Sequence, residues 1–417
     1  MQIILLDENR FDEYAYNHPN HNFYQTSNYG KFMSKHGYNA YYLGMVDDTN
    51  QIKAATLIIV KNDKESTKRK MGYAPRGFLI DWSNEDLVSE FTNALKIFLS
   101  KRSFTYLKVD PLIIYKEHNI DGSEKSSEFE HDGFVAKMQA LEYIHLGYNN
   151  GNETSKLRWN AEVELNSNIV SLYNSISKNA RDKIKEASTL GCKVYRGSSD
   201  DINTLYELVP KPKPSLEYFL DYYHFFNNNA KMELYFTKLE PATYVNSSKS
   251  IYEKEQIRNS DLNNQIQNFS IPNRDLLINQ KMQSDELLTK YKNNMLEAIN
   301  LFQNYPSGVI VAGTALIKYR KKIYFIANGL NEKFKDNYPN YLLYWQLLQE
   351  FASQGFEIAD FNGITGNFVN EERSMYKVEI SNRIVEYVGE FDLVINKKGY
   401  YTGNKLNPII NWLNTPI

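Results

Sequence analysis

Apolar residues follow the same order of patterns twice along the chain. In the first half, apolar runs predict an N-terminal strand and two further strands at Tyr41–Val46 and Ala54–Val60. Around Asp86–Ser100, apolar residues recur at spacings of three and four, which is typical of a helix with one buried face. A strand at Phe104–Asp110 follows. This half therefore predicts a hairpin, a helix and a strand.

The second half repeats that order. Val309–Ile317 and Lys322–Ala327 predict a hairpin, and the residues around Asn340–Gln354 predict a helix that ends at Gly355. A strand at Phe356–Asn362 follows. The repetition predicts an α/β (α+β) fold of two similar units with mixed, largely antiparallel sheets.

A helix between the two units carries a row of cations. Asn166–Leu190 has a continuous apolar stripe, and Lys178, Arg181 and Lys185 lie three and four residues apart on another face. Such a row is either a solvated surface or a binding surface, and the pattern alone leaves both interpretations open.

The segment from about Tyr244 to Gln303 has almost no glycine and is rich in Lys, Glu, Gln and Asn. Ser270-Ile271-Pro272 divides it, and its second half has the alternating apolar spacing of a coiled-coil seam. Strand-like sequence resumes at Gly308. These features predict an antiparallel helical-hairpin arm inserted into the second unit.

The predicted organisation has five segments. Residues 1–150 form the first unit, and residues 151–243 form the first part of the second. The arm covers residues 244–304, the second unit ends with residues 305–395, and residues 396–417 return towards the first unit.

Composition and charge predict a cytoplasmic protein. The N-terminus lacks the basic lead of a signal peptide, and no window reaches the ~18–20 apolar residues that a membrane span needs. The single cysteine, Cys192, fits a reducing compartment. The net charge of −2 argues against a dedicated nucleic-acid-binding domain, but it is compatible with a local basic patch.

The strong catalytic motifs are missing from the sequence. It contains no P-loop, nucleophile elbow, HExxH motif or paired CxxC, and its seven histidines are scattered without metal-ligand spacing. We therefore predict no metal and no cofactor. An enzyme with this sequence would work by positioning and electrostatics, with carboxylates and cations.

Polar residues cluster where predicted strands end. Arg76 and Asp81 flank a Pro/Gly turn, which indicates either a surface salt bridge or a rim that binds phosphate or sugar. Asp110 precedes a proline at a strand end, where α/β proteins commonly place functional acids, although Asp-Pro also terminates strands. The letters DFNG, beginning at Asp360, end the corresponding strand of the second unit.

These segments, taken in order, resemble the FemABX family of peptidoglycan aminoacyltransferases over almost the whole chain. The matching segments are the turn from Arg76 to Asp81, YLKVDP ending at Pro111, the basic helix followed by Gly191, DFNG, and Tyr376-Lys377 with EYVGEF. The resemblance implies two domains of the GNAT fold and, in some branches of the family, an inserted helical arm.

The resemblance also implies an activity. Members transfer an amino acid from aminoacyl-tRNA to an amino group on the stem peptide of lipid II or a related precursor, which builds the interpeptide bridge. Lys377 takes the position of a catalytic lysine that stabilises the oxyanion, and Asp110 that of a carboxylate that binds or orients the amine. The resemblance favours Lys178, Arg181 and Lys185 as a tRNA-binding surface.

The same comparison implies the substrate-binding residues, with two departures from the family pattern. The phosphate-binding lysine of the family falls at Met33, with Lys31 and Lys35 nearby, and an arginine before Tyr218 is replaced by Lys213. An ammonium holds phosphate without the bidentate fork of arginine. The substrate-binding residues predicted are Lys31, Lys35, Arg76, Asp81, Tyr106, Lys213, Tyr218, Tyr324 and Tyr376.

Four further possibilities concern partners and rival functions. Peripheral contact with the inner membrane face and association with itself or with Fem-type paralogues both stay open. A GNAT-type acyl-CoA N-acyltransferase would share the fold, but the Gly-rich turn that cradles its pyrophosphate is missing. A non-catalytic adaptor that binds partners through a coiled-coil arm would leave Lys377 and Asp110 without a role.

Overall fold

The computed structural model describes residues 1–62, 70–125, 132–151, 154–166, 168–227, 232–267, 273–371 and 375–402. Its strands, in chain order, are β1 (Gln2–Leu5), β2 (Tyr38–Val46), β3 (Ile52–Lys61), β4 (Lys70–Ala74), β5 (Phe104–Val109), β6 (Ile114–His118), β7 (Tyr143–His145), β8 (Trp159–Glu164), β9 (Cys192–Arg196), β10 (Met232–Leu239), β11 (Val309–Tyr319), β12 (Lys322–Leu330), β13 (Ile358–Ile364), β14 (Arg383–Tyr387) and β15 (Phe391–Val394). Its α-helices are α1 (Glu8–Asn17), α2 (Ser27–Lys35), α3 (Glu85–Ser100), α4 (Asp132–Ala140), α5 (Ile169–Ser175), α6 (Lys178–Thr189), α7 (Ile202–Leu208), α8 (Leu216–Asn227), α9 (Pro241–Ile266), α10 (Arg274–Asn304), α11 (Pro339–Ser353), α12 (Met375–Ile380) and α13 (Lys397–Thr402).

The strands form two mixed sheets, which confirms the predicted fold class. The first sheet has the order β1-β2-β3-β4-β5-β15-β7, and the second has the order β6-β14-β8-β13-β12-β11-β10-β9. The β4–β5 and β12–β13 pairs are parallel, and the other strand pairs described are antiparallel.

Each sheet contains the predicted succession of hairpin, helix and strand. In the first sheet, α3 crosses from β4 to the parallel strand β5; in the second, α11 crosses from β12 to the parallel strand β13. Asn84 begins α3 because its side-chain oxygen accepts the backbone N–H of Leu87 at 3.0 Å. Gly355 follows α11 with φ +81°, a conformation that favours glycine. The repeat is therefore confirmed, with β4 as an additional strand in the first unit.

The two sheets exchange strands. β6, from the first third of the chain, pairs with β14 at the edge of the second sheet, while β15, from near the C-terminus, lies between β5 and β7 in the first. The exchange brings the end of β5 next to the segment between β14 and β15. The division of the chain into five segments stays a prediction.

A shared apolar cluster joins the two halves. The Phe23 ring lies 4.8 Å from Tyr324 and 5.8 Å from Phe226, both of the second half. All three side chains are buried. The polar ends of the central strands therefore meet at a junction fixed by apolar packing.

The prediction of one helix over Asn166–Leu190 is wrong, because the structure has two shorter helices there, α5 and α6. Ile176 is extended, and the Ser177 hydroxyl accepts the Ala180 N–H at 3.0 Å, which begins a new helix. The apolar stripe is continuous in sequence, but the serine cap interrupts the backbone.

The segment between β10 and β11 consists of two long helices, α9 and α10, which contact each other. Tyr244 clusters with Ala298, and Asn259 donates to Ser284 at 3.0 Å, so the helices run antiparallel. The predicted turn around Ser270-Ile271-Pro272 lies outside the described residues, and a supercoiled seam stays a prediction. Across the described ranges, no helix is both long and apolar enough to cross a membrane.

Candidate functional site

A polar pocket lies at the junction of the two sheets. It is lined by Asn22, Tyr24, Arg76, Leu112, Asn160, Lys322, Tyr324, Asp360 and Asn362. The first four come from the N-terminal part of the chain and the others from strands β8, β12 and β13. The site thus depends on both halves of the protein.

One wall is built around Asp110, directly after β5. Its Oδ1 accepts the Arg76 backbone N–H at 2.6 Å, and its Oδ2 accepts the Tyr73 hydroxyl at 3.0 Å. The Arg76 guanidinium lies 3.6 Å from Oδ2. Burial raises the pKa of the Asp110 carboxyl, while the Arg76 charge opposes that shift.

Arg76 is held in a left-handed backbone conformation, with φ +51°. Its Nη2 donates to the Leu157 carbonyl at 2.9 Å, and its guanidinium lies 5.3 Å from the Tyr387 ring centroid. Arg76 is therefore a buried link between the halves, and its carboxylate partner is Asp110. The interpretation of a surface salt bridge at the Arg76–Asp81 turn is wrong.

The opposite wall is an ion cluster in the second sheet. Lys322 Nζ lies 2.9 Å from Glu162 Oε1 and 3.1 Å from Asp360 Oδ2, and the Asn160 amide donates to both Asp360 oxygens at 3.2 Å. Burial alone lowers the pKa of Lys322, but the two carboxylates raise it well above its ordinary value. Burial raises the pKa of Asp360, and Lys322 opposes that shift.

Two buried polar atoms on this wall lack protein partners. Within the part of the chain that the structure describes, neither the Tyr324 hydroxyl nor Asn160 Oδ1 has a hydrogen-bond partner. Both residues line the pocket. Because a buried polar atom without a partner is costly, the pocket is suited to a polar ligand that supplies donors and acceptors.

Two lysines near the pocket are perturbed in the same direction. Burial lowers the pKa of Lys156 to about 7, with Arg76 adding to the shift and Asp110 opposing it. Burial lowers the pKa of Lys377, on α12, to about 8, with Asp360 opposing the shift. A buried carboxylate therefore opposes the fall of each lysine's pKa, Asp110 for Lys156 and Asp360 for Lys377.

The similarity to known proteins extends over nearly the whole chain. The model of the FemAB family matches residues 6–407. The chain belongs to the FemAB family. Two proteins named "Aminoacyltransferase FemA", from Staphylococcus aureus strains bovine RF122 / ET3-1 and MRSA252, are each 25% identical over 423 residues, spanning 97% of this chain and 98% of theirs.

The crystal structure of FemX has a similar fold. Its TM-score with this structure is 0.71 at 18% identity, covering 96% of this chain and 99% of that chain. The predicted α/β fold class is thus confirmed. With the named relatives, the family assignment identifies the protein as an aminoacyltransferase.

Of the predicted site residues, Arg76 and Tyr324 line the pocket and Asp110 supports its wall. Asp81 accepts hydrogen bonds from Ser83 in an exposed turn. Tyr106 packs 5.3 Å from the Tyr400 ring. Asp110, Asp81 and Tyr106 do not themselves line the pocket. The role of Asp81 and Tyr106 in substrate binding stays a prediction.

A second group of predicted residues lies between α2 and α8. Lys35 pairs with Asp221 at 2.5 Å, and the Tyr218 ring packs 4.7 Å from His36. Lys31 pairs instead with Glu8 at 2.5 Å. Lys35 and Tyr218 therefore both lie where α2 meets α8, and their role in phosphate binding stays a prediction.

Lys213 and Tyr376 lie against aromatic side chains. Lys213 donates to the Tyr206 carbonyl and lies 3.9 Å from the Tyr206 ring centroid. The Tyr376 ring is nearly parallel to that of Tyr344, with centroids 5.4 Å apart. Both contacts are compatible with structural roles.

The three cations of the basic helix differ in their surroundings. Lys178 and Lys185 are exposed on α6. Arg181 is half-buried, and its Nη1 donates to the Ile176 carbonyl at 2.8 Å and to the Asn174 carbonyl at 3.2 Å. Arg181 therefore caps α5, while the other two cations face solvent.

Sequence reasoning missed much of the second wall. The letters DFNG pointed to Asp360, but Lys322 and Asn160 look like ordinary strand residues, and their convergence depends on strands distant in sequence. Lys156 lies in a polar segment and has no local signal of its own. The sequence signal that could have pointed to Lys322 was its position two residues before Tyr324 on β12.

Proposed function

We propose that this aminoacyltransferase takes an amino acid from aminoacyl-tRNA and adds it to an amino group on the stem peptide of lipid II or a related peptidoglycan precursor. The family membership supports the reaction class. The observation that carries the proposal is a pocket between the sheets with buried carboxylates and two partnerless polar atoms.

The acceptor amine is recognised by complementary charge and hydrogen bonds. In solution it is largely an ammonium, which the Asp110 and Asp360 carboxylates attract. Asn160 Oδ1 and the Tyr324 hydroxyl offer acceptors for its N–H groups. Binding would satisfy two atoms that have no partner among the described residues.

Attack of the neutral amine on the ester carbonyl puts negative charge on the carbonyl oxygen. Lys377 stabilises this oxyanion, since a lysine with a pKa of about 8 stays largely protonated at neutral pH. The intermediate then collapses to an amide and releases the ribose oxygen of the tRNA. Asp110 orients the site through Arg76, because both of its oxygens already accept hydrogen bonds.

The exposed cations Lys178 and Lys185 provide the tRNA contact, and Lys35 with Tyr218 faces the phosphates of the precursor. Both substrates are available at the cytoplasmic side of the membrane, so the protein acts in the cytoplasm, in peripheral contact with the inner membrane face.

The test uses purified protein, lipid II and a mixed pool of charged tRNAs. Mass spectrometry of the precursor should show the addition of an aminoacyl residue, and its mass identifies the amino acid. Uncharged tRNA and acyl-CoA serve as donor controls and should give no product. Acylation from acyl-CoA alone would favour the rival N-acyltransferase, and inertness towards every donor would favour the adaptor.

Replacing lipid II by its water-soluble nucleotide-linked precursor in the same assay defines the acceptor. Equal rates would show that the lipid is not required. A rate that depends on the lipid-linked form would support peripheral contact with the membrane.

A further inference from the structure

We propose that Lys156 is a further catalytic residue, which accepts the proton of the acceptor amine as that amine attacks the aminoacyl ester. This inference rests on the proposed function. It assigns the proton-accepting role to a residue that neither the family motifs nor the sequence patterns singled out.

The backbone on both sides of Lys156 is anchored. The Ser155 N–H donates to Glu390 Oε1 at 2.5 Å, and the Leu157 carbonyl accepts Arg76 Nη2 at 2.9 Å. Glu390 is itself buried. The position of Lys156 at the junction of the halves is therefore determined by buried polar contacts on either side.

The Lys156 side chain has no anionic partner within the described part of the chain. Its Nζ lies 4.1 Å from the ring centroid of Tyr24, a residue of the pocket wall. Among the described residues, no carboxylate pairs with it. The buried Lys108, in contrast, pairs with Glu390 at 3.0 Å and with Asp392 at 3.3 Å.

This difference has a chemical consequence. A half-buried ammonium without a close carboxylate is poorly solvated, so the neutral amine is favoured and the pKa falls to about 7. At neutral pH a large fraction of Lys156 is then a free amine, which can accept a proton. A group whose pKa lies near the working pH is the most effective general base.

Asp110 is less suited to this role. Its Oδ1 is occupied by the Arg76 N–H, and its Oδ2 by the Tyr73 hydroxyl with the Arg76 guanidinium nearby. Asp110 instead opposes the fall of the Lys156 pKa and so helps to keep it near neutrality. Asp110 is thus a positioning residue for Lys156.

The bound ammonium first releases one proton to water, and the neutral amine then attacks. As the amine nitrogen bonds to the ester carbonyl carbon, one N–H proton passes to the neutral Nζ of Lys156. The tetrahedral intermediate expels the ribose oxygen, which takes up that proton and leaves as a hydroxyl. The products are an amide and a free tRNA end, and Lys156 returns to its neutral form.

The first test separates a base from a fixed cation. Lys156→Arg keeps the positive charge but cannot act as a base near neutral pH, so we expect kcat to fall about 10²–10⁴-fold with KM little changed. Lys156→Met should lose kcat similarly, and Lys137→Met, at an exposed lysine remote from the pocket, should match wild type. Near-wild-type kcat in Lys156→Arg would overturn the proposal, because a fixed cation would then suffice.

The second test does not depend on turnover. In protein carrying ¹³C-labelled lysine, the resonance that disappears in Lys156→Met is followed by NMR from pH 5 to 11, with thermal unfolding confirming that the variant folds. We expect a midpoint near 7, and a lower midpoint in Asp110→Asn, which removes the opposing charge. A titration midpoint above 10 would overturn the inference about Lys156, whether or not transfer is detected. A midpoint near 7 without any transfer would count against the proposed function alone.

Discussion

Replacing Tyr324 by phenylalanine should separate the stability of the fold from the binding of substrate. The Tyr324 hydroxyl is buried in the pocket wall, and no described residue bonds to it. Tyr73 provides a matched control, because its side chain is also buried but its hydroxyl donates to Asp110 at 3.0 Å. Both substitutions remove a buried tyrosine hydroxyl, but only the hydroxyl of Tyr73 has a hydrogen-bond partner among the described residues.

The structure predicts opposite effects on the free energy of unfolding. Tyr324→Phe removes a desolvated hydroxyl that no protein group satisfies, so stability should stay level or rise by up to about 1 kcal/mol. Tyr73→Phe removes a hydrogen bond to a carboxylate and should lower stability by ~1.5–3 kcal/mol. If the Tyr324 hydroxyl bonds the acceptor, Tyr324→Phe should raise KM about tenfold, which corresponds to ~1.4 kcal/mol of binding.

Urea denaturation followed by fluorescence measures stability, and initial rates at varied precursor concentration measure KM. The reasoning is refuted if Tyr324→Phe is destabilised as much as Tyr73→Phe while KM stays at the wild-type value. That result would mean that the Tyr324 hydroxyl serves the fold and not the ligand.

Three further predictions concern other charged residues. Lys377→Ala should lower kcat by about 10²-fold, since it removes an oxyanion donor, and unchanged kcat would exclude that role. Burial places the folded pKa of Lys156 below its ordinary value of 10.5, so the free energy of unfolding of wild type should increase as pH rises above 7. In thermal unfolding, the stability of Lys156→Met relative to wild type should therefore be greatest below pH 7. Neutralising Lys178 and Lys185 together should weaken tRNA binding and reduce its salt dependence without loss of stability, which filter binding measures. Arg181→Ala should instead lower the unfolding temperature in a thermal scan, because it removes the cap of α5.

The parts of the fold that were predicted correctly depend on local periodicity. Both crossover helices, α3 and α11, bury apolar residues at a spacing that is visible in the sequence, and each ends within a few residues of its predicted end. The long helical segment was evident from the absence of glycine. In each case neighbouring residues alone carry the information.

The features that were missed depend on contacts between distant residues. The exchange of β6 and β15 between sheets leaves no local pattern, because any apolar strand can pair with either sheet. The break at Ser177 depends on whether a serine side chain caps a helix or faces solvent, which tertiary packing decides. Similarly, Lys156 looks like a surface residue until Tyr24 and Asp110 are placed beside it.

The candidate site was therefore predicted in part. Asp110 and Arg76 were found because they stand at a strand end and match a family motif, and the structure places them in one wall. The opposite wall, around Lys322 and Asn160, requires strands from three places in the chain to converge. Sequence patterns identify such residues only after the topology is known.

The most direct test of the central claim is the mass of lipid II after incubation with charged tRNAs and either wild-type protein or Lys377→Ala. We expect wild type to add an aminoacyl residue and the variant to add it at a rate about 10²-fold lower. If the precursor keeps its original mass with wild-type protein and every charged tRNA, aminoacyl transfer to the peptidoglycan stem peptide is contradicted.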